Sequence, residues 1–183
     1  MSCLIRLCRR FLGTKPDATC VIQNLYLSSW QASADRTWLR QHGIGGIVNL
    51  AQIDGYGNVF AVASKKDGFQ VDYLSYNLDD VETNGQQMRG IFNETNEFIR
   101  AKHKQNQGVL VHCYAGISRS PSVVLAYLIA EHKMSLKRAH DLLKSQRPQI
   151  RPNPGFMKAL SEFEGDTLGY KTAVSPDYFA YME

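Results

Sequence analysis

Gly108-Val109-Leu110-Val111-His112-Cys113-Tyr114-Ala115-Gly116-Ile117-Ser118-Arg119-Ser120-Pro121 runs from an apolar strand pattern towards an apolar helical segment ending near His132. Pro121 falls in the first turn of that helix, where a proline is tolerated. A cluster of reactive residues therefore stands at a strand-to-helix turn. Five residues separate Cys113 from Arg119, enough for a loop whose N–H groups all turn inward. Such a loop, backed by a helix N-terminus, is an anion-binding nest. Cys113 at its start then lies beneath a bound phosphate as a thiolate. Arg119 at its end lays a guanidinium fork across the oxygens. A free cysteine is ordinarily a small buried hydrophobe. The glycine three residues on, the arginine six residues on and the adjoining helix start favour a nucleophile instead.

Working outward, strand and helix patterns alternate, which predicts an α/β fold with a central, largely parallel sheet flanked by helices. Val21-Ile22 and Leu25-Tyr26-Leu27 read as short strands, Ser33–His42 as a helix closed by Gly43, and Ile44–Leu50 as a buried strand. Residues 52–68 read as an excursion, and Phe69–Asn77 as a strand. In Gln86–His103, Met88, Ile91, Phe92, Thr95, Phe98 and Ile99 recur at helical steps and form one apolar face. Ser135 caps a further helix carrying Leu136, Ala139, Leu142 and Leu143 inward, and a last helix spans about residues 155–164. Ligands of such sheets lie beyond the carboxyl ends of the strands, where the Cys113 loop stands.

The chain has 183 residues, 44% hydrophobic and 21% charged, with net charge +4. That length suits one well-cored domain. No run approaches the roughly 20 apolar residues that span a bilayer. The charge favours anionic ligands and makes no case for nucleic acid as a partner. Cys3, Cys8, Cys20 and Cys113 form no C-x-x-C pair and no metal-ligand spacing. That pattern fits one functional thiol in a reducing, cytoplasmic setting, with nuclear or membrane-associated placement as alternatives. No metal or cofactor is expected.

The order H-C-x-x-G-x-x-R-S resembles the signature of the cysteine-dependent protein tyrosine phosphatases, and over residues 17–164 the chain resembles their compact, atypical dual-specificity members. Asn24–Leu27, Val48-Asn49-Leu50, Arg147-Pro148 and Pro152–Met157 are further points of resemblance. The resemblance implies a phosphatase-type fold with its phosphate loop between strand and helix. It implies hydrolysis of phosphotyrosine and phosphoserine/threonine in phosphorylated proteins through a cysteinyl-phosphate. Tyr114, Ala115, Gly116, Ile117, Ser118 and Arg119 are then the substrate-binding loop. Ser120 assists release of the Cys113 thiolate, and His112 and Asn153 support the loop from behind.

Expelling an ester oxygen also needs a carboxylic acid on a neighbouring crevice loop. Asp79 and Asp80 both follow the strand at 69–77. The resemblance of Tyr73–Asp80 to the family's acid-bearing strand selects Asp80, 33 residues before Cys113. Two other readings are a phosphoprotein-binding module without turnover and a phosphatase of a non-protein phosphate such as a phosphoinositide, an RNA 5′-end or a phosphoglycan. Residues 1–16 carry Arg6, Arg9, Arg10 and Lys15 with no acid, and read as a frayed arm, a basic membrane contact acylated at Cys3 or Cys8, or a transit peptide. Residues 165–183 read as a peripheral tail.

Overall fold

The computed structural model describes residues 17–51 and 68–172. Expectations for residues 1–16, for the excursion at 52–67 and for the tail from 173 onward lie outside them. Five strands form one sheet in the order β1-β2-β5-β3-β4: β1 Ala18–Ile22, β2 Leu25–Ser29, β3 Ile44–Asn49, β4 Asp72–Ser75 and β5 Gly108–Cys113. β1 pairs antiparallel with β2, and every other pairing is parallel. β5 is central, its Val109 and Val111 opposite Leu25 and Leu27 of β2.

Alternation along β5 divides the core in two. Val109 and Val111 face a large apolar cluster that also holds Leu25, Leu27 and Val48. Leu110 faces the other way, among Ile47, Trp38 and Ala32. The larger layer is made by α3 (Gly85–Lys104), α4 (Arg119–His132), α5 (Leu136–Gln146) and α6 (Pro154–Leu168). The smaller is made by α1 (Trp30–Ser33) and α2 (Arg36–Gln41). α4 is buried without a break from Ser120 to Ile129, and from Val123 to Ile129 it is apolar apart from the Tyr127 hydroxyl, as a central helix must be. Each such leucine or isoleucine is worth about 1.5–3 kcal/mol of burial.

Three elements differ from the sequence reading. The helix expected over 33–42 forms over Arg36–Gln41, with a separate helical turn at Trp30–Ser33 ahead of it, because Asp35 turns to an extended backbone and its carboxylate caps Trp38 N–H at 3.0 Å. The strand expected over 69–77 pairs only over Asp72–Ser75. Its edge position leaves little to hold the flanks in the sheet. The last helix is longer than expected, from Pro154 to Leu168, because Gly169 takes the left-handed conformation only at that point (φ 79°).

Parallel pairing brings the ends of β3, β4 and β5 to one edge. Leu50 N–H continues the ladder to His112 O at 2.8 Å, and Tyr76 N–H reaches Asn49 O at 3.0 Å. The segment after β5 and the segment after β4 therefore emerge side by side.

Candidate active site

Residues 114–118 join β5 to α4. Their carbonyls turn outward, each claimed by a donor behind the loop. Tyr114 O accepts from Trp30 N at 3.3 Å, Ile117 O from Arg151 N at 2.6 Å, and Ser118 O from Ser122 N at 3.1 Å. Gly116 O accepts from Arg147 Nε at 3.0 Å, and Ala115 O lies 3.5 Å from Arg147 Nη2. With its carbonyls held outward, the loop's N–H groups are left for the inner side, the arrangement of an anion nest. Gly116 has φ 70°, and a Cβ there would stand 2.7 Å from the Ser28 backbone and from Arg147 Nη2. Neither the dihedral nor the space suits any other residue.

Cys113 is 2% exposed at the floor of this loop. Its Sγ accepts from Gly116 N–H at 3.2 Å and from Ser120 Oγ at 3.2 Å. It also lies before the N-terminus of α4, whose dipole favours negative charge there. Arg119 reaches across the strand ends. Its Nη1 donates to Leu50 O at 3.0 Å and Leu78 O at 3.1 Å. Its buried Nε has no hydrogen-bond acceptor among the described residues. A buried donor left without a hydrogen bond is costly, and a phosphoryl oxygen is the kind of acceptor it fits.

Asp80 faces the loop. Its Oδ1 accepts from Ser118 Oγ at 2.6 Å and from Asn153 Nδ2 at 2.8 Å, and its Oδ2 stands 3.8 Å from Arg119 Nε. Asn153 also caps α6 through Phe156 N–H at 2.9 Å, and its own N–H reaches Ser118 Oγ at 3.1 Å. Ser118 and Asn153 thus tie three segments together. The acid-bearing segment approaches α6 closely because Gly155 has no Cβ, which would run into the Glu82 carbonyl. Among the described residues the exposed Asp79 takes part through its backbone carbonyl, which accepts from Asn84 Nδ2 at 3.2 Å. A cleft of about 580 Å³ opens beside Asp80, lined in part by Val81, Ile117 and Arg151. Val81 and Ile117 are exposed at its mouth, and Tyr114 is exposed on the neighbouring loop.

His112 is buried on the strand, its Nδ1 3.4 Å from Cys113 O. Burial pushes its imidazole down to about 4 against a weaker pull from that carbonyl, so it is neutral at neutral pH.

Cys113, residues 114–118, Arg119, Ser120 and Asp80 lie together at this edge, with His112 and Asn153 beside them. Two residues given no role in the sequence reading also belong to it. Arg147, 2% exposed, grips the back of the loop and forks onto Asp17 at 2.8 and 2.6 Å. Asp17 lies 130 residues away in the chain, and no local pattern marks such a pair. Among the described residues no group of three or more His, Cys, Asp or Glu could hold a metal ion.

An enclosed thiol and a guanidinium at the two ends of an amide-lined loop, with a carboxylate fixed across from them, are the frame of a cysteine-dependent phosphatase. The dual specificity phosphatase catalytic-domain model matches residues 25–166, and the chain belongs to that family. A probable dual specificity protein phosphatase of Dictyostelium discoideum is 36% identical over 150 residues, 79% of this chain. The chain spans 63% of that protein's length. The crystal structure of human DUSP28 superposes with TM-score 0.73 at 25% identity, over 86% of this chain and 98% of that one. The human tyrosine phosphatase-like serine/threonine/tyrosine-interacting protein gives TM-score 0.70 at 26% identity, over 84% and 99%.

Proposed function

We propose that this chain is a metal-independent dual-specificity protein phosphatase, with Cys113 as nucleophile and Asp80 as general acid and base. The Cys113 thiolate attacks phosphorus, held by the loop N–H groups and Arg119. As the S–P bond forms, the P–O ester bond breaks and the leaving oxygen takes the proton of Asp80. Asp80, now a carboxylate, removes a proton from water, whose oxygen attacks the cysteinyl-phosphate. The S–P bond breaks, inorganic phosphate leaves, and Ser120 Oγ–H and Gly116 N–H donate to the thiolate that remains on Cys113. The observation that carries this reading is the pair of hydrogen bonds, each 3.2 Å, aimed at Cys113 Sγ. A merely structural cysteine needs no such donors.

The substrates are phosphorylated proteins, and both phosphotyrosine and phosphoserine/threonine are cleaved. Aryl phosphates go faster because their leaving groups need less protonation. A signalling role fits that substrate class, and the cysteine pattern, with one functional thiol, fits a reducing, cytoplasmic setting. No helix of the described residues is long and apolar enough to cross a membrane. Phosphate release across phosphopeptides, phosphoinositides and RNA 5′-ends tests the assignment. Release from phosphopeptides of both kinds supports it. Phosphopeptide binding without release from any substrate points instead to an interaction module, and preferred turnover of a lipid or nucleic-acid phosphate overturns the substrate class.

A further inference from the structure

We infer that Arg147 is a positioning residue for the nucleophile, acting through the peptide groups of the phosphate loop. The inference rests on Cys113 being that nucleophile. Arg147 donates through Nε to Gly116 O at 3.0 Å, and its Nη2 lies 3.5 Å from Ala115 O. The peptide that carries Ala115 O also carries Gly116 N–H, the group that donates to Cys113 Sγ at 3.2 Å. The peptide that carries Gly116 O carries Ile117 N–H, the next donor along the loop. A cation on the oxygen side of a peptide withdraws electron density and strengthens its N–H as a donor. The positive charge of Arg147 is thereby relayed to the sulfur and to the loop amides without touching either.

Three further observations make the guanidinium a built part of the loop. It is 2% exposed, the largest fully buried side chain among the described residues. Asp17 accepts from both its terminal nitrogens, at 2.8 and 2.6 Å, and Thr19 Oγ1 stands 3.3 Å from Nη1. Asp17 is held below the usual carboxylate range by that hydrogen-bonded arginine. The guanidinium thus cannot turn away from the loop without leaving a carboxylate and two carbonyls unpaired. Other donors behind the loop serve Tyr114, Ile117 and Ser118, and they are neutral. The peptide that feeds Cys113 is backed by the charged one. A lysine would keep the charge and lose the fork, since one ammonium cannot span Asp17 and the loop together.

The test measures iodoacetamide alkylation of Cys113 at pH 6, read as mass gain on its peptide, and vanadate affinity, on the full chain. In Arg147→Lys both are expected to fall roughly tenfold, the loss of one charge-assisted hydrogen bond. The sign discriminates. A merely loosened protein exposes its buried thiol and is alkylated faster, whereas loss of the relay slows alkylation. If Arg147→Lys does not fold, the double variant Asp17→Leu with Arg147→Met replaces the ion pair by apolar side chains, a change folds often tolerate. It is expected to show the same two losses. A folded variant alkylated at or above the wild-type rate, with vanadate affinity within threefold, overturns the inference. Cys113→Ser retaining wild-type turnover overturns the mechanism instead, and leaves the two Arg147 readouts interpretable.

Discussion

Asp80→Asn separates chemistry from structure because the substitution preserves almost everything the side chain touches. An asparagine Oδ1 can still accept from Ser118 Oγ and Asn153 Nδ2, now at 2.6 and 2.8 Å, so the loop is expected to stay in place. The one interaction lost is the 3.8 Å approach of Oδ2 to Arg119 Nε. A partly solvated ion pair of that length is worth about 0–1 kcal/mol. For a domain of this size that is a Tm change of no more than about 4 °C. The lost proton transfer is far larger: kcat is expected to fall roughly 10²–10⁴-fold, about 3–5 kcal/mol of barrier. The loss is expected to shrink to about tenfold or less on an activated aryl phosphate, whose leaving group needs no proton. Asp79→Asn, which touches only an exposed side chain, is expected to stay within roughly threefold of wild type. Steady-state rates of both variants on an alkyl and an activated aryl phosphate, with Tm alongside, decide the matter. A large, leaving-group-dependent loss in Asp79→Asn with none in Asp80→Asn moves the acid by one residue. No such loss in either variant means that the proton comes from another group.

Cys113→Ser is expected to abolish turnover while phosphopeptide affinity stays within several-fold, since the loop amides and Arg119 remain; turnover within tenfold of wild type ends the covalent mechanism. Gly116→Ala is expected to cost about 1–2 kcal/mol for its left-handed dihedral and to displace the loop from the Ser28 backbone, lowering kcat/KM by roughly 10²-fold; a variant with wild-type kinetics contradicts the close-packed loop. His112 is neutral in both folded and unfolded chains above pH 6.5. Between 6.5 and about 4 only the unfolded chain takes up the proton, so stability falls with acidity by ~3 kcal/mol and levels off below 4. His112→Gln is expected to flatten that part of the urea-midpoint profile relative to wild type, although the downward-shifted His103 and His140 keep some slope. An unchanged profile refutes the assignment to His112.

The phosphate loop was legible in the sequence because its parts are local. A strand, a tight turn with glycine at φ 70° and a helix start follow one another within residues 108–132. Chain order alone sets Cys113 and Arg119 at the two ends of that loop. The amphipathic face of α3 was equally plain, since periodicity needs no distant partner. What no stretch of residues carries is pairing across the chain. That Asp80 rather than Asp79 turns to the loop depends on Ser118, 38 residues on, and Asn153, 73 residues on. Those contacts form only because β3 lies between β4 and β5, bringing both crevice segments to one edge. The Arg147–Asp17 pair, 130 residues apart, is invisible for the same reason. A buried arginine and a surface one look alike until the fold supplies the carboxylate and carbonyls that make burial tolerable. The short β4 was decided by its place at the sheet edge, whereas the break at Asp35 is local, a capping carboxylate three residues before its donor.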